Sequence, residues 1–350
     1  MFVFLQVSQK VVAVTPSHSR PLNQVYIVIL WLIYSVQREM KNSTPRPPIF
    51  YGTDEYRTII VVLLIIVICI GFFGNLMVYS AISYRQKQKR TSTNYLLMNI
   101  AVADLLVAVI IAPLRFVEMY HGWPLGDFLC KTVAPLQDVI VCVSVVTHTV
   151  IALERYRSIV QPFKKKLSVS RTKQAAVVIW LLCYVSICLP MAFVLKVEVQ
   201  KGFIICKAVW SSLVRQLFEV YLVVVFIATP LIIQTYAYSR VVKVANRELR
   251  NATKSSNPNL TRIALSKVRV VKMLILLVGA FQLCSIPRIV TMIMTEFGGP
   301  ALTNDVNFQY AITITLVIYY LKHVINPFII FATSAEFRAS CGYCLTCGRT

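Results

Sequence analysis

Acidic side chains are scarce in this chain: 14 Asp and Glu stand against 36 Lys and Arg, and charged residues of both signs make up only 14% of 350 residues. A soluble domain carries roughly 25% charged residues. With 57% hydrophobic content and a mean hydropathy of +0.68, that shortage argues against a water-soluble fold. Glycine is sparse as well, at 11 residues, and none of it forms a phosphate-cradling loop. No nucleophile–base pair and no metal-spaced cluster appears in a soluble segment, so no enzyme activity, cofactor or metal site is expected. Amphipathic outer helices, which a large soluble core would need, are missing too.

Seven long apolar runs are present, at about 58–83, 95–119, 132–153, 175–195, 214–238, 270–294 and 308–332, each reaching the ~20 residues that cross a bilayer. The expected fold is an all-α membrane protein, a bundle of seven transmembrane helices. The formal charge of +22 is unevenly placed. Arg85, Lys87, Lys89 and Arg90 follow run one. Arg155, Arg157, Lys164, Lys165, Lys166, Arg171 and Lys173 lie between runs three and four. A longer basic series, from Arg240 to Lys272, lies between runs five and six. The alternate loops hold Asp54, Glu55, Asp127, Glu198, Glu296 and Asp305. By the positive-inside rule the N-terminus is outside and the C-terminus cytoplasmic. The positive charge therefore speaks for the lipid bilayer as partner and not for nucleic acid.

These limits divide the chain into an outer tail, 1–56, a helical domain, 57–333, and a short amphipathic segment with a cytoplasmic tail, 334–350. Residues 25–36 are apolar but short for a span. Residues 1–39 are expected to be a leader or an extension, with Met40 as a second possible start. Asn42 in Asn-Ser-Thr is a glycosylation acceptor on the outer side. Cys69, Cys142, Cys183, Cys188 and Cys284 fall within runs and read as small apolar fillers. Cys130 and Cys206 both lie on the oxidising outer side, where a bridge would pin the loop between runs four and five across the bundle mouth. Cys341, Cys344 and Cys347 recur just past run seven, and acylation of a juxtamembrane segment accounts for them better than zinc.

The motifs inside the runs resemble those of the rhodopsin-like (class A) G-protein-coupled receptors, over about residues 57 to 342. Gly74-Asn75 stands in run one, Asp104 in two, and Cys130 opens three, which closes on Glu154-Arg155-Tyr156. Trp180 and Pro190 mark run four, Pro230 and Tyr238 run five, Phe281 and Pro287 run six, and Asn326-Pro327 run seven. The resemblance implies a multi-pass plasma-membrane receptor that binds an extracellular ligand and activates a heterotrimeric G protein. In it Glu154, Arg155, Tyr156, Tyr238, Phe281, Pro287, Asn326 and Pro327 serve activation and coupling. Independently of the family, Glu154 can restrain Arg155, and each intramembrane proline removes a hydrogen bond and permits a hinge.

Ligand class follows from the same resemblance. Receptors for amine transmitters carry an Asp where this chain has Gln137, which supplies no charge. The retinal lysine of opsins corresponds to Tyr320, and Lys322 lies about 200° around the helix from it. Gln137 is similar to its counterpart in neuropeptide receptors of the orexin, neuropeptide Y and RFamide groups. Arg115, Glu118, Gln137, Glu219, Arg288 and Tyr320 are the expected ligand-binding set, with an internal Arg288–Glu219 pair as an open alternative. A small or lipid-like ligand is a second reading. A third, a seven-helix protein without G-protein signalling, is prompted by Ser285, which replaces the Trp that relatives place two residues before Pro287.

The resemblance also implies a polar pocket of Asn75, Asp104, Ser144 and Asn326 that holds sodium in many relatives. Lys322 and His323 stand where helix seven of those relatives has small neutral polar residues. Lys322 is one turn before Asn326, and the expectation is that its ammonium replaces the ion and pairs with Asp104.

Overall fold

The computed structural model describes residues 54–88, 91–164, 167–200, 202–255, 257–303, 305–334 and 337–340. Asn42, the apolar stretch 25–36, the boundary at residue 39 and Cys341, Cys344 and Cys347 lie outside the described residues. Among those described, seven helices are long and apolar enough to cross a membrane: helix one (Thr58–Tyr84), two (Ser92–Arg115), three (Gly126–Val160), four (Val169–Val194), five (Ser212–Lys254), six (Pro258–Phe297) and seven (Val306–Thr333). Helix three is the most enclosed and helix five the least. Helix three is packed on helices two, four and five, while much of helix five's apolar surface faces outward, as lipid contact requires.

The sequence sets where most helices begin. Thr91, Ser168, Ser211, Asn257 and Asp305 each accept a hydrogen bond from a backbone N–H two or three residues on, which satisfies one orphan donor of the first turn. Prolines set the irregularities. Helices two and five each widen into one π-turn, Val107–Ile111 and Val224–Ala228, and each is followed two residues later by a proline, Pro113 and Pro230. A proline has no N–H to give and crowds the preceding turn, so the helix relaxes there. Gly74 marks the closest approach of helices one and seven: a Cβ there would lie 2.9 Å from the Pro327 ring.

Two hydrophobic groupings matter for function. At the Arg155 end of the bundle Val78, Leu97, Ile151, Tyr238, Leu274 and Ile330 converge from six helices. Beside helix three, Val139, Cys142 and Val143 pack on Ile179, Cys183 and Ile187 of helix four and on Phe226 of helix five. Over the opposite end lies a hairpin, β1 (Leu195–Gln200) and β2 (Phe203–Ala208), antiparallel with Leu195 opposite Ala208. A disulfide joins Cys130 at the start of helix three to Cys206 of β2, with Cα atoms 5.7 Å apart. Gly122, at φ +73°, turns the chain beneath this hairpin. A side chain there would run into the Ile204 carbonyl, the group that accepts from the Trp123 N–H at 2.5 Å.

Candidate functional site: an outer polar cluster above a polar core

The hairpin end of the bundle gathers charge from four helices. Gln137 on helix three is the hub. Its Oε1 accepts from Arg115 Nε of helix two at 3.0 Å and from the Tyr320 hydroxyl of helix seven at 3.1 Å. Arg115 also grips Glu118 at 2.6 Å. Both acceptor sites of the Gln137 carbonyl are thus in use, and its Nε2 makes no hydrogen bond within the described residues, so two N–H donors remain for another molecule. Arg288 of helix six does not pair with Glu219. Its Nη1 donates to the Ile312 carbonyl at 3.4 Å, a long contact that leaves most of the guanidinium unengaged. Glu219 of helix five is half-buried and has no ion-pair partner among the described residues.

Sequence reasoning passed over two ionisable groups here. Asp138 follows Gln137, is half-buried, and makes neither a hydrogen bond nor an ion pair within the described residues. Arg115, Arg288 and Lys322 all lie within its electrostatic reach. An acid inside a transmembrane run is itself a sign of function, and that signal was available at Asp138. His148, buried on helix three with its ring 5.4 Å from that of Phe281, is the second.

In mid-bundle the expected Lys322–Asp104 pair is not formed. Asp104 is buried, and its two oxygens are taken by His323 Nδ1 at 2.7 Å and Asn326 Nδ2 at 2.8 Å. His323 and Asn326 are three residues apart and so share one face of helix seven toward helix two. Lys322 lies 100° away from His323 around the helix and turns toward helix six instead. Its Nζ sits 3.2 Å from the centre of the Tyr319 ring and 4.8 Å from that of Phe281, wholly buried and without a hydrogen-bond partner. Two aromatic faces offset part of the cost of burying the ammonium. Asn75 donates to the Gly71 and His323 carbonyls, both at 2.8 Å. The Ser144 hydroxyl turns back onto the Ile140 carbonyl at 3.0 Å and does not reach Asp104. Ser285 does the same, donating to the Phe281 carbonyl at 2.8 Å.

At the far end of helix three, Arg155 Nε donates to Glu154 Oε2 at 2.7 Å. The Thr93 hydroxyl of helix two donates to the same carboxylate oxygen at 3.0 Å, and Arg155 Nη2 also bonds Thr93. Helices two and three are therefore latched through three polar side chains. Tyr156 lies near the Tyr236 ring, at 6.0 Å. The Tyr238 hydroxyl is buried with no partner among the described residues, and its ring belongs to the hydrophobic convergence at this end.

The chain is 27% identical over 316 residues to the QRFP-like peptide receptor of Branchiostoma floridae, covering 86% of this chain and 82% of that one. It is 26% identical over 289 residues to the pyroglutamylated RF-amide peptide receptor of Rattus norvegicus, covering 78% and 66%. With the neuromedin-K receptor of the same species it shares 29% over 282 residues, covering 78% and 60%. Residues 74–330, well over half the chain, match the profile of the 7 transmembrane receptor (rhodopsin family), and the chain belongs to that family.

Proposed function

We propose that the outer polar cluster around Gln137 binds a peptide and that its occupancy is read at Arg155 by a heterotrimeric G protein. As a member of its family the chain is a multi-pass receptor of the plasma membrane and not an enzyme, and signalling through G proteins is the family's general function. The relatives named above are receptors for RF-amide and other peptides, which supports the ligand class. The observation that carries the reading is Gln137. Its carbonyl is locked by Arg115 and Tyr320, so its N–H donors are fixed in direction and suited to a peptide carbonyl or terminal carboxamide. Arg115, Glu118, Glu219 and Arg288 complete the lining.

The orientation belongs to the proposal: the basic loops beside Arg155 face the cytoplasm and the disulfide-bridged hairpin faces outside. So do the segment limits at residues 56 and 333, glycosylation of Asn42 and acylation at Cys341, Cys344 and Cys347. In this scheme the Glu154–Arg155–Thr93 latch is the resting state. Pro287 and Pro327 are the hinges, and Tyr156, Tyr238, Phe281 and Asn326 rearrange as a ligand that prefers the opened bundle shifts the population. A second reading rests on Ser285. Its small side chain is tied to its own helix and offers no bulk for a ligand to displace, which favours a bundle that binds without switching.

One experiment separates the two. Cells expressing the full chain are challenged with amidated peptides and their free-acid counterparts, and calcium, cyclic AMP and peptide binding are recorded together. Binding with a second-messenger response to the amidated series is the expected result. Binding without any response selects the non-switching reading, and binding by neither series overturns the peptide assignment.

A further inference from the structure

Away from the hairpin end, four buried polar atoms have no hydrogen-bond partner among the described residues: His148 Nε2, the Tyr238 hydroxyl, Lys322 Nζ and Asn326 Oδ1. Lys322 rests on aromatic rings. His148 and Asn326 instead share one cavity, walled by Asn75 of helix one, Leu97 and Ile100 of helix two and Leu277 of helix six. Their side chains belong to residues only 2% and 3% exposed. Asn326 is held in one orientation, because its Nδ2 donates to Asp104 at 2.8 Å. Its carbonyl is therefore an acceptor that cannot turn away. A buried polar group left without a partner is costly, and two such groups lining one space call for an occupant that serves both. The cavity sets what that occupant is. About 10 Å³ of it is open to the centre of a water molecule, room for one water. None of its lining residues is Asp, Glu, Lys or Arg, and Asp104, which Asn326 contacts, already has a donor on each oxygen. A cation would lose its hydration there without gaining a counter-charge. A neutral water suits both an imidazole nitrogen and an amide oxygen.

We propose that this cavity is a water-binding site that ties helix three to helix seven through His148 and Asn326. The water donates one hydrogen to Asn326 Oδ1. It donates the other to His148 Nε2 when that nitrogen is bare and accepts from it when the nitrogen carries the proton, so both neutral tautomers are served. Helix six covers the site. Leu277 is part of its wall, and Phe281, one turn on, places its ring 5.4 Å from that of His148. Asn326 immediately precedes Pro327, the hinge of helix seven, and His148 lies two turns before Arg155 on helix three. The bridge is thus a restraint on the closed bundle, released when helix six draws its part of the wall away and bulk water enters. It holds whatever ligand occupies the Gln137 cluster, since no residue of that cluster takes part.

The test uses the full chain in lipid nanodiscs and X-ray radiolysis, which makes hydroxyl radicals from bound water as well as bulk water and marks the side chains beside it. Mass spectrometry then reads the oxidation. Leu97, Ile100 and Leu277 are buried, so only a bound water can mark them. In the unmodified chain they should be oxidised well above Ile179 and Ile187, which pack in the apolar grouping beside helix four. His148→Leu should bring them down to that level, and His148→Gln, which keeps a polar end, should retain most of the signal. Loss of the bridge should also raise the displaced population of helix six by roughly two- to tenfold. Spin-label distances between the cytoplasmic ends of helices two and six read that population with neither ligand nor G protein, so a failure here is distinct from a failure of the peptide reading. If Leu97, Ile100 and Leu277 are as unreactive as Ile179 in the unmodified chain, the cavity is dry and the site is overturned. Oxidation that persists in His148→Leu overturns His148 as the partner. Loss of oxidation with helix six unmoved overturns the restraint. Should His148→Leu not reach the membrane, His148→Phe repeats the comparison.

Discussion

Asp104 and Asp138 are both carboxylates set within the apolar length of the bundle, and the protein treats them in opposite ways. Asp104 gives one oxygen to His323 and the other to Asn326 at 2.7 and 2.8 Å and is shut off from solvent. Asp138 is half-buried, with no bonded partner among the described residues. A buried carboxylate without donors costs several kcal/mol, so the first arrangement holds helices two and seven together. The second leaves its acceptors open toward the hairpin end of helix three.

The sharpest way to break this contrast is to remove each acid in turn. Asp104→Leu leaves His323 and Asn326 buried without an acceptor. It should cost about 3–5 kcal/mol, seen as near-complete loss of surface signal for an epitope-tagged receptor by flow cytometry. Asp138→Leu should leave that signal close to normal. Equal losses for the two variants would erase the distinction drawn here.

The outer tether ranks next. Cys206→Ser frees the hairpin from helix three, and loss of a native disulfide costs about 2–4 kcal/mol. The turn at Gly122 hangs from β2 through the Trp123–Ile204 bond, at the end of the bundle that holds Gln137. Peptide binding should therefore fall further than surface expression does. Equal falls in both would mean that the bridge serves folding alone.

A third test concerns Lys322. Lys322→Met replaces a buried, unpartnered ammonium with an apolar chain of similar length that packs well on aromatic rings. Burying a charge without a partner is costly, so the melting temperature should hold or rise. Sodium should leave ligand affinity unchanged in the unmodified receptor, because both Asp104 oxygens already have donors. A sodium-dependent affinity would show that His323 yields its place to the ion.

How much of this could be read beforehand depends on which physical rule governed each part. Seven spans were legible because hydrophobic length is counted directly along the chain. A polar pocket holding Asp104 and Asn326 was legible through the resemblance, and Arg155 beside Glu154 as adjacent opposite charges at the end of a run. The partner of Lys322 was not. Lys322 and His323 are neighbours in sequence but 100° apart around the helix, and which one faces helix two depends on how helix seven is rotated in the bundle, which spacing does not determine. The π-turns before Pro113 and Pro230 depend likewise on packing around a proline. Asp138 was legible too, as an acid inside an apolar run.

The smallest expected effect sharpens the comparison at the other end of the molecule. Thr93 carries no charge, yet it bonds both Glu154 and Arg155 and so ties helix two to the helix-three latch. Thr93→Val keeps the shape of the side chain and deletes the hydroxyl. A net hydrogen bond contributes about 0.5–1.5 kcal/mol, so the latched population should fall relative to the open one by roughly two- to tenfold. The Glu154–Arg155 pair itself, at 2.7 Å, remains, which is why the change is modest. Nucleotide exchange on a reconstituted G protein, measured without ligand, should rise within that range. Lys131→Ala breaks an exposed pair with Asp127 on the outer surface and should leave exchange unaltered, since surface pairs contribute little. If Thr93→Val has no more effect than Lys131→Ala, the latch carries no weight in the resting state, and the restraint on Arg155 lies with Glu154 alone.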